Sequence, residues 1–123
     1  MFFETQTDGI PAITQNMPEL TQNPTLKNFQ QYVSELETER GFANQTIIDK
    51  CLLLGEEVGE LFKAVRKSEG LAIDSNSNFT EIGDELTDIF IYLCAIANRK
   101  GIDLETAFLK KEEKNKQRIW KSM

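Results

Sequence analysis

With 123 residues, 20 Asp and Glu against 14 Lys and Arg, and a formal net charge of −6, the chain has the size of one ordinary domain. It is too acidic for a broad grip on nucleic-acid backbone, which needs clustered Lys and Arg. It contains no histidine, which removes the usual proton shuttle and the commonest transition-metal ligand, and argues against a di-iron bundle built on Glu-x-x-His pairs.

Taken in chain order, residues 1–23 are polar and turn-rich, with Gly9, Pro11 and Pro18, and read as an irregular arm. The domain proper is expected over 24–123. Asn23-Pro24 predicts an N-cap followed by proline at the first helical position. Leu26, Phe29, Val33 and Leu36 then recur at helical spacing, and Gly41 supplies the stop. A second helix is expected after an Asn44 cap, with Ile47, Cys51, Leu54, Val58, Leu61, Phe62 and Val65 as its apolar stripe. Residues 68–78 are rich in Ser, Gly, Asp and Asn and read as a loop. A third helix carries Ile82, Leu86, Ile89, Phe90, Leu93 and Ala97 and ends at Gly101. Asp103 caps a fourth with Leu104, Ala107, Phe108 and Ile119 as its apolar positions. No β-alternation of useful length appears, so the fold class is all-α, four helices in a bundle-like array.

A domain this short buries a modest core and gains stability by oligomerising. Cys51 and Cys94 both fall in apolar runs and read as reduced core thiols. No stretch approaches the ~20 apolar residues of a membrane span, and the N-terminus lacks the pattern of a signal peptide. The expectation is a cytoplasmic protein without a membrane or nucleic-acid partner.

The most informative residues are two acidic clusters, Glu56, Glu57 and Glu60 on the second helix and Glu85 and Asp88 on the third. Like charges at i,i+4 destabilise a helix by roughly 0.2–0.5 kcal/mol per pair. From the centre of the second apolar stripe at Leu54, Glu57, Glu60 and Glu56 fall at about −60°, −120° and −160°. From Leu86, Glu85, Tyr92 and Asp88 fall at about −100°, −120° and −160°. An antiparallel pair would bring both stripes to one flank, where five carboxylates converge. A hard divalent cation turns their repulsion into attraction. The plainer alternative is a solvated acidic face. Lys63 compensates Glu60 alone, and the third helix has no basic residue between Glu81 and Asp88.

Near the chain's end, Lys111, Lys114, Asn115 and Arg118 share one face with Phe108 and turn that stripe cationic. Such a group can grip a polyphosphate, or simply complement the helix dipole. Of the aromatics, Phe29, Phe42 and Trp120 could stack on a base, and Phe42 is the pocket candidate. Gly55 and Gly59 lie away from the acids. Each costs up to ~1 kcal/mol inside a helix, which close helix approach would explain.

Glu56-Glu57-Val58-Gly59-Glu60 followed by Glu85-Leu86-Thr87-Asp88 resembles the paired ExxE and ExxD motifs of the MazG-like all-α nucleoside triphosphate pyrophosphohydrolases, over roughly residues 25–120. The resemblance implies Glu57, Glu60, Glu85 and Asp88 as ligands of Mg²⁺, with Mn²⁺ as a substitute. It also implies Glu56 and Glu57 as catalytic carboxylates, Glu56 helping to orient water. The Lys-x-x-Lys-Asn-x-x-Arg run is similar to the family's substrate-binding C-terminal segment, and Tyr92 stands where relatives contact the sugar. The implied reaction is hydrolysis of a (deoxy)nucleoside triphosphate to a monophosphate and pyrophosphate, in service of nucleotide-pool sanitation, by a homodimer or homotetramer. The alternatives are a phosphoribosyl-ATP pyrophosphohydrolase and a silent helical module that binds nucleotides or a protein.

Overall fold

The computed structural model describes residues 17–71, 74, 76 and 81–120. Among the described residues four helices follow in order: α1 (Leu26–Glu39), α2 (Ile47–Ser68), α3 (Ile82–Arg99) and α4 (Leu104–Lys116). There is no strand among the described residues, and the fold is all-α as expected. Most of the predicted 1–23 arm, residues 1–16, lies outside the described residues, as does part of the 68–78 loop.

The helix ends follow local chemistry. Asp103 caps α4 as predicted, accepting from the Thr106 N–H at 3.0 Å. The caps of α1 and α2 lie two residues beyond the expected asparagines. Thr25 accepts from the Asn28 N–H, and the Asn28 side chain accepts from the Thr25 N–H, a reciprocal box. Thr46 and Asp49 repeat it on α2 at 3.0 and 2.9 Å. Such a box satisfies two N-terminal donors at once, where a lone Asn44 would satisfy one. Gly41 and Gly101 both adopt positive φ, 79° and 64°, the left-handed turn that ends a helix without a Cβ clash.

α2 and α3 form the main pair, α1 packs on α3, and α4 rests on α1. Lys50 lies near Tyr92 and Glu57 near Glu85, so α2 and α3 run antiparallel. The core is small: Val33, Leu36, Cys94 and Ala95, with Phe29, Tyr32, Phe90, Ile91 and Leu104 packed against it. Phe29 meets Phe90 edge to face at 5.2 Å and is therefore a core residue, not a base platform.

Gln30 is the polar strut of this core. Its Nε2 donates to Asn98 Oδ1 and to the Ile102 carbonyl, and its Oε1 accepts from the Leu104 N–H at 2.8 Å. It thereby holds the first turn of α4 against α1. Gln30→Leu is expected to destabilise the protein by roughly 1–2 kcal/mol, because it strands the part-buried Ile102 carbonyl and Leu104 N–H. Urea unfolding followed by circular dichroism would measure it.

The sequence-based rotation of α2 and α3 needs correcting. Leu86 and Leu93 are exposed, while Glu85 on the same helix is only 4% exposed. On α2 the buried positions are Lys50 and Ala64, which places the inward face about 60° from Leu54, on the Glu57 side. The acidic residues consequently enter the seam between the helices instead of decorating its flank. The outer face of α2 keeps an apolar stripe in the open, Ile48 at 68% and Phe62 at 62% exposure with Leu52 between them. Periodicity averages both apolar faces and so points between them. Cys51 belongs to this open side and is exposed, contrary to the core-thiol reading; Cys94 is buried as expected. Gly55 and Gly59 have nothing within 4 Å of an added Cβ, so no helix of the same chain approaches them closely among the described residues. Phe108 and Ile119 are likewise exposed, and Ile119 lies beyond the end of α4.

Candidate active site

The α2–α3 seam gathers Glu57, Glu85 and Asp88. One carboxylate oxygen from each lies within 4.8 Å of the others. A hydrogen bond between Glu57 and Glu85 requires a shared proton, and it pushes Glu57 up to about 7. Partial burial and the charges of Glu85, Asp88 and Glu60 add to the effect. The cluster therefore keeps a proton to higher pH than an isolated glutamate would. An all-oxygen donor set with no histidine or thiol suits a hard cation such as Mg²⁺ or Mn²⁺ in place of that proton.

The other predicted acids stand around this group. Glu60 is one turn further along α2, and its carboxylate is 3.7 Å from Lys63. Glu56 is exposed, yet its charge reaches Tyr92. The Tyr92 phenol is raised first by burial and then by Glu57, Asp88, Glu56 and Glu37, which places it beside the acidic cluster, as the helical spacing implied.

Next to the cluster lies a cavity of about 250 Å³, lined in part by Phe42, Gln45, Lys50, Asp88 and Tyr92. Its size is below that of pockets which enclose a whole drug-sized ligand, and suits a single ring system. Asp88 belongs to both the cluster and the cavity, so a molecule spanning the two would meet aromatic side chains at one end and carboxylates at the other.

The sequence reading missed three residues here: Lys50 and Glu37, which line the cavity, and Arg99, which binds Glu37. Lys50 is only 3% exposed. Its Nζ sits 2.8 Å from Glu37 and 5.2 and 5.5 Å from the ring centres of Phe42 and Tyr92. Glu37 also receives both arms of Arg99, at 2.8 and 3.0 Å. Burial alone would raise the Glu37 carboxyl, but hydrogen bonds and charge from Arg99 and Lys50 outweigh it and hold the group below its ordinary value. The one legible signal was positional: Glu37 directly follows Leu36, and Lys50 lies two turns before Glu57 on the same face.

The basic group of α4 stands elsewhere in this chain. Lys111, Lys114 and Arg118 are exposed and Asn115 half-buried, and none of them lines the cavity. Asn115 donates to Glu112 at 2.9 Å, and Arg118 lies over Trp120 at 5.7 Å. Among cavity-lining residues the cations are Arg40 and Lys50.

Residues 44–121 match the family model described as the MazG nucleotide pyrophosphohydrolase domain. Among solved structures, the crystal structure of iMazG from Vibrio DAT 722 is similar, with a TM-score of 0.59 and 30% sequence identity. The alignment covers 75% of this chain and 94% of that one. No curated protein matches. The helix α1, which supplies Glu37, precedes the matched segment. None of the described helices is long and apolar enough to cross a membrane.

Proposed function

The chain belongs to the MazG family of nucleotide pyrophosphohydrolases, and from that premise we propose that it cleaves (deoxy)nucleoside triphosphates to a monophosphate and pyrophosphate with Mg²⁺, in nucleotide-pool sanitation. The observation that carries this reading is the meeting of Glu57, Glu85 and Asp88 beside an aromatic cavity that shares Asp88.

Glu57, Glu85 and Asp88 would hold the cation, with Glu60, one turn further along α2, as the fourth candidate ligand. A bound divalent ion neutralises phosphate charge and lowers the pKa of water. The protein's own groups do the rest. Glu57 would hold the cation as a carboxylate, so the proton it shares with Glu85 would pass to solvent on loading. Glu56, exposed one residue earlier, orients the attacking water. Tyr92 faces the sugar and favours deoxyribose, and Phe42 offers a face to the base. Arg40 draws the polyphosphate toward the cavity. Lys111, Lys114, Asn115 and Arg118 keep a phosphate role only where the assembled protein brings α4 to a site. The open stripe of Ile48, Leu52 and Phe62, with Gly55 and Gly59 in its middle, supports a homodimer or homotetramer.

The test is pyrophosphate release from dNTPs, NTPs and phosphoribosyl-ATP, with Mg²⁺, with Mn²⁺ and with chelator. Metal-dependent release from a dNTP is expected. Activity retained by both Glu57→Gln and Glu85→Gln would sink the assigned roles.

A further inference from the structure

We propose that Gln45 is a specificity-determining residue whose Oε1 accepts a hydrogen bond from an N–H on the edge of the substrate's base. The inference rests on the nucleotide reading above and deepens it by naming the group that reads the base.

Gln45 lines the cavity, and its Oε1 is buried with no hydrogen-bond partner. Folded proteins seldom leave a buried acceptor unmade. Its backbone is well anchored. The Gln45 N–H donates to the Phe42 carbonyl at 3.0 Å. Arg99 Nε donates to the Gln45 carbonyl at 2.8 Å, and an Arg99 Nη donates to the Phe42 carbonyl at 3.2 Å. Glu37 fixes that guanidinium in turn. The short connection between α1 and α2 is thus fastened to α3, and Gln45 and Phe42 face the cavity as preorganised groups.

The cavity's remaining polar groups decide what such an acceptor could meet. The Glu37 carboxylate is taken by Arg99 and Lys50. The Lys50 ammonium has three N–H donors and gives one to Glu37, which leaves capacity for an acceptor on a ligand. The Gln45 acceptor and the Lys50 donor, both beside the rings of Phe42 and Tyr92, match a heteroaromatic ring bearing an N–H next to an acceptor atom. A phosphate offers no N–H with which to meet the Gln45 acceptor. A sugar hydroxyl could satisfy Oε1 but would leave the ring faces of Phe42 and Tyr92 without a flat partner.

The experiment measures kcat and KM with Mg²⁺ for dATP, dCTP, dGTP and dTTP in the wild type, Gln45→Leu and Gln45→Glu. The best substrate is then compared with its base-methylated analogue: N6,N6-dimethyl-dATP, N4,N4-dimethyl-dCTP, N1-methyl-dGTP or N3-methyl-dTTP. Gln45→Leu is expected to lower kcat/KM for the best base by about 10–100-fold, mainly through KM, and to narrow the spread across bases. Gln45→Glu keeps an acceptor and is expected to keep the same best base. Methylation should penalise the wild type about tenfold or more and the leucine variant much less. Equal losses on all four bases, or equal use of the methylated analogue by the wild type, would overturn the assignment and leave a buried water as the partner of Oε1. Absence of any dNTP hydrolysis by the wild type would instead defeat the proposed function itself. Thermal unfolding of both variants close to wild type would show that the fold is intact.

Discussion

Truncation of Glu37 to alanine is expected to cost roughly 3–5 kcal/mol of stability, the loss typical when one partner of a buried ion pair is removed. The Glu37 side chain is 7% exposed and answers two cations, Lys50 at 4% and Arg99 at 16%. Without it, the Lys50 ammonium and the Arg99 guanidinium lose their shared counter-charge and keep only carbonyls and ring faces for company. Glu37→Gln should be nearly as damaging, because it retains the shape and removes the charge. The pH dependence has a definite sign. The folded pKa of Glu37 lies below its ordinary 4.5, so its contribution is present above that value and is lost as pH falls through the folded pKa. Urea titrations at pH 7 and at decreasing acid pH would measure both effects. The wild type should lose stability toward acid more steeply than the alanine variant. Equal acid sensitivity in the two would remove the triad from the account of what holds the cavity together.

Glu85→Gln is expected to separate stability from activity. In the absence of metal the wild type gathers three carboxylates in the seam, and Glu57 is raised to about 7. A raised acid binds more protons folded than unfolded between about 4.5 and 7, so stability declines as pH rises through that window. Allowing for partial solvent exposure, the decline amounts to about 1–3 kcal/mol. Glu85→Gln removes the chief opponent of an ionised Glu57. The variant should therefore be the more stable protein at pH 8 with chelator present, and its stability should vary less between pH 5 and 8. Pyrophosphate release should nonetheless fall by at least about 100-fold, since even groups that only support a metal ligand are worth 10–100-fold. Added Mg²⁺ should raise the melting temperature of the wild type more than that of the variant. A variant that is less stable than wild type at pH 8 in chelator would mean the seam carries no such repulsion.

These two cases mark where sequence reading ends. The acidic pair of motifs was legible because Glu57, Glu85 and Asp88 sit on helices whose periodicity is plain, joined so that antiparallel pairing follows. The stops at Gly41 and Gly101 and the Asp103 cap were legible because each depends on one residue's local geometry. The rotation of α2 and α3 was not, because Ile48, Leu52 and Phe62 on one side and Leu53, Leu54 and Leu61 on the other give a helix two apolar faces. A single angular mean then falls between them. The Glu37–Lys50–Arg99 group was hidden for another reason. Its members are scattered over three helices, and a charged residue among apolar neighbours reads as surface until its partners are in view. The same holds for Gln45, whose significance lies in an oxygen left without a donor.

The two thiols of this chain live under opposite conditions. Burial pushes the Cys94 sulfhydryl up to about 11, which keeps it protonated and sealed from reagents. Cys51 stands in the open, one helical step from Ile48 and beside Leu52. The protein therefore carries a native labelling point on the flank that a second copy would have to cover. A probe attached there would register the arrival of that copy directly, with no engineered cysteine and no competing signal from the interior.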